Sequence, residues 1–354
     1  MKNIFYFFFA ISIFLGCKKT TQNTDFKTES KTNPLTYAKA ISWEKDENSL
    51  KIIQNKYTQS IAKSKIPLQK IILLSSSAIG YLEGIDALSQ VQGVFDADWC
   101  YSPKLHQMIA NGEIEDLGKS AAPDIEKILT LKPDAVLTYT QPQQAKLFQL
   151  LENQGINVIY LDEYNETTPL GKAEYLKLYG ELFGKENLAD SLFSKIEKNY
   201  KALKNSVVNS SKPRVFTNTM RGDIWYMSGG ESFVAQYLSD AGANYIWSND
   251  THLGNINLSF EEVYQKAEDA DFWLNAGDFT SLQNLEKAYK NHKFFKAFQN
   301  AQVYSFTQKV NEKGANDYFE TGNIRVDWVL NDLIKIFHPE KAQNHDFQFY
   351  QKLQ

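Results

Sequence analysis

Two series of short apolar strands that alternate with helices run along this chain, and one helical stretch separates them. The first series places strands at residues 70–74, 91–95, 114–117, 135–138 and 157–161. The second series places them at residues 214–217, 272–274 and 303–305. Because strands that alternate with helices form a parallel sheet with helices on both faces, the sequence predicts an α/β fold.

The stretch between the two series, residues 170–203, has a helical pattern that breaks near residues 184–186. A chain of 354 residues is long enough for two domains of ordinary size. We therefore expect two α/β lobes joined by a helical crossing. The predicted boundaries are 38–168 for the N-terminal lobe, with a strand hairpin at 41–53, 169–205 for the crossing, 206–340 for the C-terminal lobe and 341–354 for a tail.

The N-terminus has the features of an export signal. Lys2 precedes an apolar run over residues 4–15, which is too short to span a bilayer but has the length of a signal-peptide core. Leu15, Gly16 and Cys17 then resemble a bacterial lipoprotein cleavage site. We expect a signal peptide at 1–16, lipidation of Cys17 and anchoring to a membrane on the periplasmic side. An ordinary secretory signal with a chance cysteine is the alternative.

The residues after Cys17 are mostly Lys, Thr, Ser, Asn and Gln, so they bury too little apolar surface to order themselves. Residues 17–37 are therefore predicted to be a flexible tether. With Cys17 lipidated only Cys100 remains, so no intrachain disulfide can form. The formal charge of −4, from 38 basic and 42 acidic residues, does not indicate nucleic-acid binding. No later apolar run is long enough for a transmembrane helix.

Candidate binding residues lie at the carboxyl ends of the predicted strands, where ligands collect in sheets of this kind. The aromatic candidates are expected to form walls for a large, partly flat ligand, and Arg221 is expected to bind an acidic group with its planar fork. A salt bridge between Arg221 and Asp223 is the alternative. The full set of candidates is Trp99, Tyr101, Tyr139, Arg221, Trp225, Tyr226, Asn316 and Tyr318.

Signals for catalysis are mostly missing from the sequence. The five histidines are far apart, and the common metalloprotease, nucleophile-elbow, phosphate-loop and dinucleotide motifs are not present. We expect no catalytic residue, no metal site and no resident cofactor. An anchored enzyme remains one alternative, with Asp96, Asp98 or Asp162 as its base. A glycan-binding lipoprotein is another, because aromatic side chains also stack on sugars.

Several segments, taken in order, resemble one family. They are ILLSSS at 72–77, LGK at 117–119, DIEKIL at 124–129, LKPDAVL at 131–137, GINV at 155–158, GGESF at 229–233, DAGAN at 240–244 and VLNDLIKIFHPE at 329–340. Over residues 66–340 the chain resembles the substrate-binding proteins that serve ABC importers of iron–siderophore complexes, haem and vitamin B12.

The resemblance implies two Rossmann-like lobes with central parallel sheets, joined by one long bridging helix at 169–183. Because a helical bridge is stiff, it also implies a small closing movement. The partners would be an ABC permease and its ATPase, and the protein would act as a monomer. Each lobe would offer a glutamate to arginines of the permease. The matching positions are Glu126 and Glu261, although neighbouring Glu262 is an alternative to Glu261.

The ligand implied by the resemblance is a metal chelate, and three classes remain open. Haem bound through its iron would take Tyr101, Tyr139 or Met220 as an axial ligand. Cobalamin is neutral overall and does not require Arg221. An anionic ferric siderophore would use Arg221 directly, so we favour an iron complex.

Overall fold

The computed structural model describes residues 35–54, 57–119 and 122–354. The predicted signal peptide, Cys17 and the tether as far as residue 34 lie outside the described residues. Within the described ranges, no helix is both long enough and apolar enough to cross a membrane.

The N-terminal lobe contains a small antiparallel sheet and a five-stranded parallel sheet. The small sheet consists of β1 (Ile41–Lys45), β2 (Ser49–Gln54) and β3 (Tyr57–Ala62). The larger sheet consists of β4 (Ile71–Leu73), β5 (Val91–Val94), β6 (Glu115–Asp116), β7 (Ala135–Thr138) and β8 (Asn157–Tyr160), in the order β6-β5-β4-β7-β8. Its helices are α1 (Ser77–Gly84), α2 (Pro103–Ala110), α3 (Ile125–Leu131) and α4 (Ala145–Asn153).

Two consecutive helices follow this lobe, α5 (Pro169–Phe183) and α6 (Glu186–Ser206). Thr168 caps α5 by accepting a hydrogen bond from the Gly171 N–H at 3.1 Å, and Pro169 occupies the first turn, where its missing N–H costs nothing. Gly184 ends α5 in the left-handed conformation, with φ 64°, which glycine adopts without strain. The break in the helical pattern is therefore a glycine stop between α5 and α6.

The C-terminal lobe has a five-stranded sheet in the order β12-β9-β14-β15-β16, in which β16 alone runs antiparallel. Its strands are β9 (Arg214–Thr217), β10 (Met220–Arg221), β11 (Ile224–Ser228), β12 (Asn244–Tyr245), β13 (Asn255–Leu258), β14 (Phe272–Leu274), β15 (Val303–Ser305) and β16 (Gln351–Lys352). A second, antiparallel sheet has the order β10-β11-β13. The helices are α7 (Phe233–Asp240), α8 (Phe260–Ala267), α9 (Leu282–Ala288), α10 (Lys296–Gln299), α11 (Thr321–Ile324) and α12 (Val326–Phe337).

The predicted α/β fold with two lobes and a bridging helix is confirmed, and each of the eight strands predicted for the two series is present. The predicted hairpin at 41–53 is extended by the third strand β3. The small sheet β10-β11-β13 had no counterpart in the sequence analysis, since β10 is only two residues long and shows no periodicity.

The last residues of the chain, predicted as a tail, are part of the C-terminal lobe. The fully buried carboxylate of Asp332 on α12 accepts hydrogen bonds from the backbone N–H groups of Gln348, Phe349 and Tyr350 at 2.7–3.1 Å. β16 then pairs with β15 at the edge of the sheet. The segment therefore covers a sheet edge that would otherwise be open.

Residues at the predicted end of the tether are also packed onto the body. The buried carboxylate of Glu174, on α5, accepts hydrogen bonds from the N–H groups of Thr36, Tyr37 and Ala38 at 2.7–3.0 Å. Glu166, just before α5, accepts them from Lys39 and Ala40 at 2.9–3.1 Å. The tether prediction is therefore too long at its C-terminal end, because the chain joins the body by residue 36.

Candidate ligand-binding cleft

Two asparagines follow neighbouring strands of the C-terminal sheet. Asn218 comes directly after β9 with φ 63°, and Asn275 directly after β14 with φ 54°. Asparagine is one of the few residues that tolerates this left-handed backbone, so both strands turn sharply at their carboxyl ends. The Asn218 amide donates to the Tyr226 carbonyl at 2.6 Å, and the Asn275 side-chain oxygen accepts from the Tyr350 hydroxyl at 2.8 Å.

The small sheet β10-β11-β13 brings Arg221 and Tyr226 to the same end of the lobe. Successive side chains of a strand point to opposite faces, so Trp225 and Tyr226 on β11 lie on opposite faces of the small sheet. Tyr226 is exposed, whereas Trp225 is fully buried against Phe216 and Trp273 and donates its indole N–H to the Thr217 carbonyl at 2.9 Å. Trp225 is therefore a core residue, and its prediction as a ligand wall is wrong.

These turns surround a cavity of about 540 Å³. It combines a guanidinium, a carboxylate, neutral amides and a hydroxyl with three aromatic rings, a mixture suited to a ligand with a flat body and polar edges. The lining residues are Asn218, Thr219, Arg221, Tyr226, Asn255, Asn275, Gly277, Asp278, Phe306 and Phe319. All of them belong to the C-terminal half of the chain.

Arg221 forms no ion pair with any described residue, so the alternative pairing with Asp223 does not occur in the described ranges. Its guanidinium is exposed at the cavity. It is therefore available to a ligand, and its role in binding stays a prediction.

The predicted residues Asn316 and Tyr318 support the cavity instead of lining it. The Asn316 amide donates to the Phe306 carbonyl at 2.7 Å and its oxygen accepts from the Tyr318 N–H at 2.9 Å, so both ends are occupied. Tyr318 is buried and stacks on Phe306 with ring centroids 4.6 Å apart, and burial raises the pKa of its hydroxyl. The next residue, Phe319, is 52% exposed and lines the cavity. Sequence reasoning missed Phe306 and Phe319.

Exposed aromatic side chains mark the carboxyl ends of the N-terminal strands. Trp99 follows β5 and is 60% exposed, and Tyr139 follows β7 and is partly exposed. Tyr164 follows β8, is 52% exposed and packs edge-on against Tyr139 with ring centroids 6.1 Å apart. Tyr164 was not predicted, although the strand-end rule that selected Tyr139 also applies to it. Tyr139 and Tyr164 therefore form one exposed aromatic pair, whereas Trp99 is exposed at a separate strand end.

The two lobes touch where the aromatic loop, residues 99–102 of the N-terminal lobe, meets the C-terminal segment 311–320. Glu320 accepts hydrogen bonds from the N–H groups of Tyr101 and Ser102 at 2.5 and 3.1 Å. Asn311 donates its amide to the Cys100 carbonyl at 3.1 Å. Tyr101 is half-buried at this contact. These bonds hold residues 100–102 against the C-terminal segment that contains Phe319, a residue of the cavity.

The sequence profile of the family described as periplasmic binding protein matches residues 71–310, which is more than half of the chain. The chain belongs to this family. Membership in the periplasmic binding protein family gives the chain a solute-binding role in the cell envelope.

One relative of this periplasmic binding protein is an uncharacterized lipoprotein of Methanocaldococcus jannaschii. It is 27% identical over 299 residues, which cover 81% of this chain and 69% of the relative. A solved structure of a possible iron-binding (periplasmic solute-binding) protein from Staphylococcus epidermidis has a TM-score of 0.61 at 19% identity, covering 77% of this chain and 99% of that one. A periplasmic heme binding protein from Pseudomonas aeruginosa has a TM-score of 0.61 at 17% identity, covering 81% and 98%. At these identities the two structures share the fold.

The glutamates predicted to dock this periplasmic binding protein onto a permease lie in the first turns of exposed helices. Glu126 is in α3, which Asp124 caps. In α8, Ser259 and Glu262 form a reciprocal capping box with hydrogen bonds of 2.7–3.3 Å, and these bonds lower the pKa of Glu262. Glu261 is exposed and no described residue bonds its carboxylate. Of Glu261 and Glu262, Glu261 is therefore the one whose carboxylate is available to a partner.

The carboxylates considered as catalytic bases have other roles in the structure. Asp98 pairs with Lys119 at 2.9 Å, which lowers the pKa of the carboxyl. Asp162 accepts the N–H and hydroxyl of Thr140, both at 2.7 Å. Burial raises the pKa of Asp96, but no nucleophile pairs with it in the described chain. Across residues 35–54, 57–119 and 122–354, no group of three His, Cys, Asp or Glu side chains is arranged to hold a metal ion.

Proposed function

We propose that this periplasmic binding protein captures an anionic iron chelate, a ferric siderophore, between its lobes and delivers it to the permease of an ABC importer. The observation that carries the proposal is the exposed Arg221 guanidinium at the cavity, which forms no ion pair with a described residue. A guanidinium binds carboxylate or catecholate oxygens through two parallel hydrogen bonds. An unpaired arginine beside exposed aromatic rings suits an anionic, partly flat ligand.

Haem and cobalamin are the alternative ligands. Haem would need an axial ligand, and of the described cavity-lining side chains only Tyr226 offers a phenol, with no histidine, methionine or cysteine beside it. Of the residues first considered for this role, Tyr101, Tyr139 and Met220 do not line the cavity. Cobalamin is neutral overall and would leave Arg221 without a partner. Arg221 therefore favours the siderophore.

Delivery to the permease is assigned to Glu126 and Glu261, one on each lobe. Both are exposed, and both lie in a helix first turn, where the helix dipole stabilises a carboxylate. Arginines on the permease would bind them, and the importer's ATPase would drive release of the ligand. The protein would act as a monomer, anchored through a lipid on Cys17 and without a resident cofactor or a catalytic step. The relative described as a lipoprotein supports the anchor.

The test is a thermal-shift titration of the chain from residue 17 onward with Cys17→Ser, so that no lipid is attached. Ferric hydroxamate, catecholate and citrate complexes, haemin and cobalamin are the probes. A ligand that binds only the folded state, present at 100 times its Kd, stabilises that state by about 2.7 kcal/mol. We expect a concentration-dependent rise in Tm with one class of ferric siderophore and none with cobalamin.

Arg221→Gln is the variant that connects this result to the cavity, and Lys198→Gln, an exposed lysine on α6, is its matched control. The Tm rise should be much smaller in the first and unchanged in the second. A rise with cobalamin or haemin alone would replace the siderophore with that ligand. A rise with glycans alone would indicate a sugar-binding protein, and chemical conversion of a bound probe would indicate an enzyme.

A further inference from the structure

A single carboxylate of the C-terminal lobe fixes the backbone of the N-terminal aromatic loop. Glu320 is only 3% exposed and accepts the N–H groups of Tyr101 and Ser102, one on each oxygen. Ser102 is also the N-cap of α2, accepting the Leu105 N–H at 3.0 Å. The loop, α2 and the C-terminal lobe therefore meet at one carboxyl group.

Glu320 itself has little freedom to move. A Cβ atom placed on Gly80 of α1 would lie 2.2 Å from the Glu320 carbonyl oxygen, so the helix passes directly against this backbone. The neighbouring Phe319 lines the cavity. Trp99 is close to the same segment, since a Cβ on Gly314 would lie 3.8 Å from its ring. Glu320 is thus a fixed point from which the loop containing Trp99 is positioned.

The charges that act most strongly on Glu320 are two carboxylates, those of Asp317 and Glu83. Glu83 on α1 binds the Ser102 hydroxyl, and Asp317 lies in the turn before Glu320 with Lys309 3.4 Å from its carboxylate. From the aromatic loop the titratable groups are the Cys100 thiol and the Tyr101 phenol, and on α2 His106 bonds the Cys100 carbonyl at 2.8 Å. In the described chain, no lysine, arginine or histidine forms an ion pair with Glu320.

This environment makes the ionisation of Glu320 unusual. Burial raises its pKa to about 8, the charges of Asp317 and Glu83 act in the same direction, and the two backbone N–H groups oppose them. Hydrogen bonds to an ionised acceptor are about twice as strong as those to a neutral one. Proton loss from Glu320 therefore strengthens its bonds to the aromatic loop, and proton uptake weakens them.

We propose that Glu320 is a positioning residue of the cleft, whose ionised carboxylate fixes the Trp99–Ser102 segment against the C-terminal cavity and whose protonation releases it. The significance of this role for ligand capture rests on the proposed function, but the contact itself exists in the protein without ligand. The position of the Trp99–Ser102 segment in the N-terminal lobe then depends on the ionisation of Glu320 in the C-terminal lobe.

The test uses the chain from residue 17 onward with Cys17→Ser, labelled with 5-fluorotryptophan and observed by ¹⁹F NMR without ligand between pH 6 and 9.5. Trp99→Phe assigns the Trp99 resonance among the six tryptophans. We expect this resonance to follow a one-proton curve with its midpoint near pH 8, while the buried Trp225 and Trp273 resonances stay in place. In Glu320→Gln the curve should be lost.

Two further variants make the result independent of whether Glu320→Gln folds. Glu83→Gln removes a like charge and keeps an acceptor for Ser102, so the Trp99 midpoint should move to lower pH. His106→Gln, the matched control that removes a neighbouring imidazole, should keep the midpoint. A Trp99 resonance that does not titrate, or a titration that persists in Glu320→Gln, would overturn the proposal. Because no ligand is present, this outcome is separate from a failure to bind iron chelates.

Discussion

The N-terminal and C-terminal lobes each contain a five-stranded sheet, but the loops at their strand ends differ in chemistry. The N-terminal lobe presents Trp99, Tyr139 and Tyr164, while Asp98 and Lys119 pair with each other. The C-terminal lobe has amides, a carboxylate and the unpaired Arg221 around its cavity. Under the proposed function, the C-terminal lobe would orient and select the ligand, whereas the N-terminal lobe would add contact area.

Docking to the permease is the one property for which the lobes should be equivalent, and it gives the largest expected effect. The double variant Glu126→Lys, Glu261→Lys should lose nearly all uptake in cells while purified protein binds ligand normally, because the two introduced lysines would repel the permease arginines that the carboxylates attract. Each single variant should show a similar partial loss. Glu152→Lys, on the exposed face of α4, is the control. Full uptake by the double variant would remove the docking assignment.

The next largest effect should be on ligand affinity, and it should differ between the two lobes. Arg221→Gln removes the equivalent of one charge-assisted hydrogen bond, worth about 1.5–3 kcal/mol, so the Kd for an anionic chelate should rise roughly 10- to 100-fold. Lys119→Gln, which removes an N-terminal cation, should change the Kd less than twofold. Isothermal titration calorimetry measures both. Equal losses in the two variants would contradict a C-terminal selectivity site.

The aromatic walls should give smaller and less selective effects. Tyr164→Ala in the N-terminal lobe and Tyr226→Ala in the C-terminal lobe should each weaken binding by about 1 kcal/mol, or roughly fivefold, through loss of ring contact. The Tyr164 effect should be the same for charged and neutral chelates of one shape. If Tyr164→Ala weakens the binding of charged and neutral chelates to different extents, the N-terminal lobe also contributes to ligand selectivity.

The smallest effect concerns acid stability of the C-terminal lobe. His292 is buried beneath Thr219, with its Nδ1 2.9 Å from the Leu285 carbonyl, and burial lowers its pKa. The folded state therefore binds fewer protons at this site than the unfolded state, so the stability it contributes is lost as pH falls below the ordinary value near 6.5. The Tm should decline in acid.

Ring chemical shifts provide the direct measurement. The His292 resonance, assigned with His292→Asn, should titrate below the ordinary histidine pKa of about 6.5. A midpoint at the ordinary value would show that the site is open to solvent, and the acid decline in Tm would then need another cause.

Sequence reasoning found the fold and part of the cleft because both follow from regular patterns. The alternation of strands and helices predicted the two sheets, and the strand-end rule selected Arg221, Tyr226, Trp99 and Tyr139. It failed at Trp225, since a residue's face on a short strand is decided by packing. It also chose Asn316 and Tyr318, where a tight turn directs Phe319 outward instead.

Other features have no signal within a single stretch of sequence. β13 pairs with β11 across an intervening helix, and Asp332 binds the segment that leads into β16 from another helix. The contact of Glu320 with Tyr101 and Ser102 joins residues 219 and 218 positions apart. Such contacts are set by tertiary packing, so a pattern search does not reveal them.

The bonds from residues 36–40 to Glu174 and Glu166 have a mechanical consequence. Five backbone N–H groups attach the start of the body to two carboxylates: three bond Glu174 on α5, and two bond Glu166 in the loop that leads into α5. A force applied to the chain upstream of residue 35 is therefore transmitted first to the helix between the lobes. A membrane tether attached at this point would therefore load mainly the helix that joins the lobes, and not the separation of the two lobes.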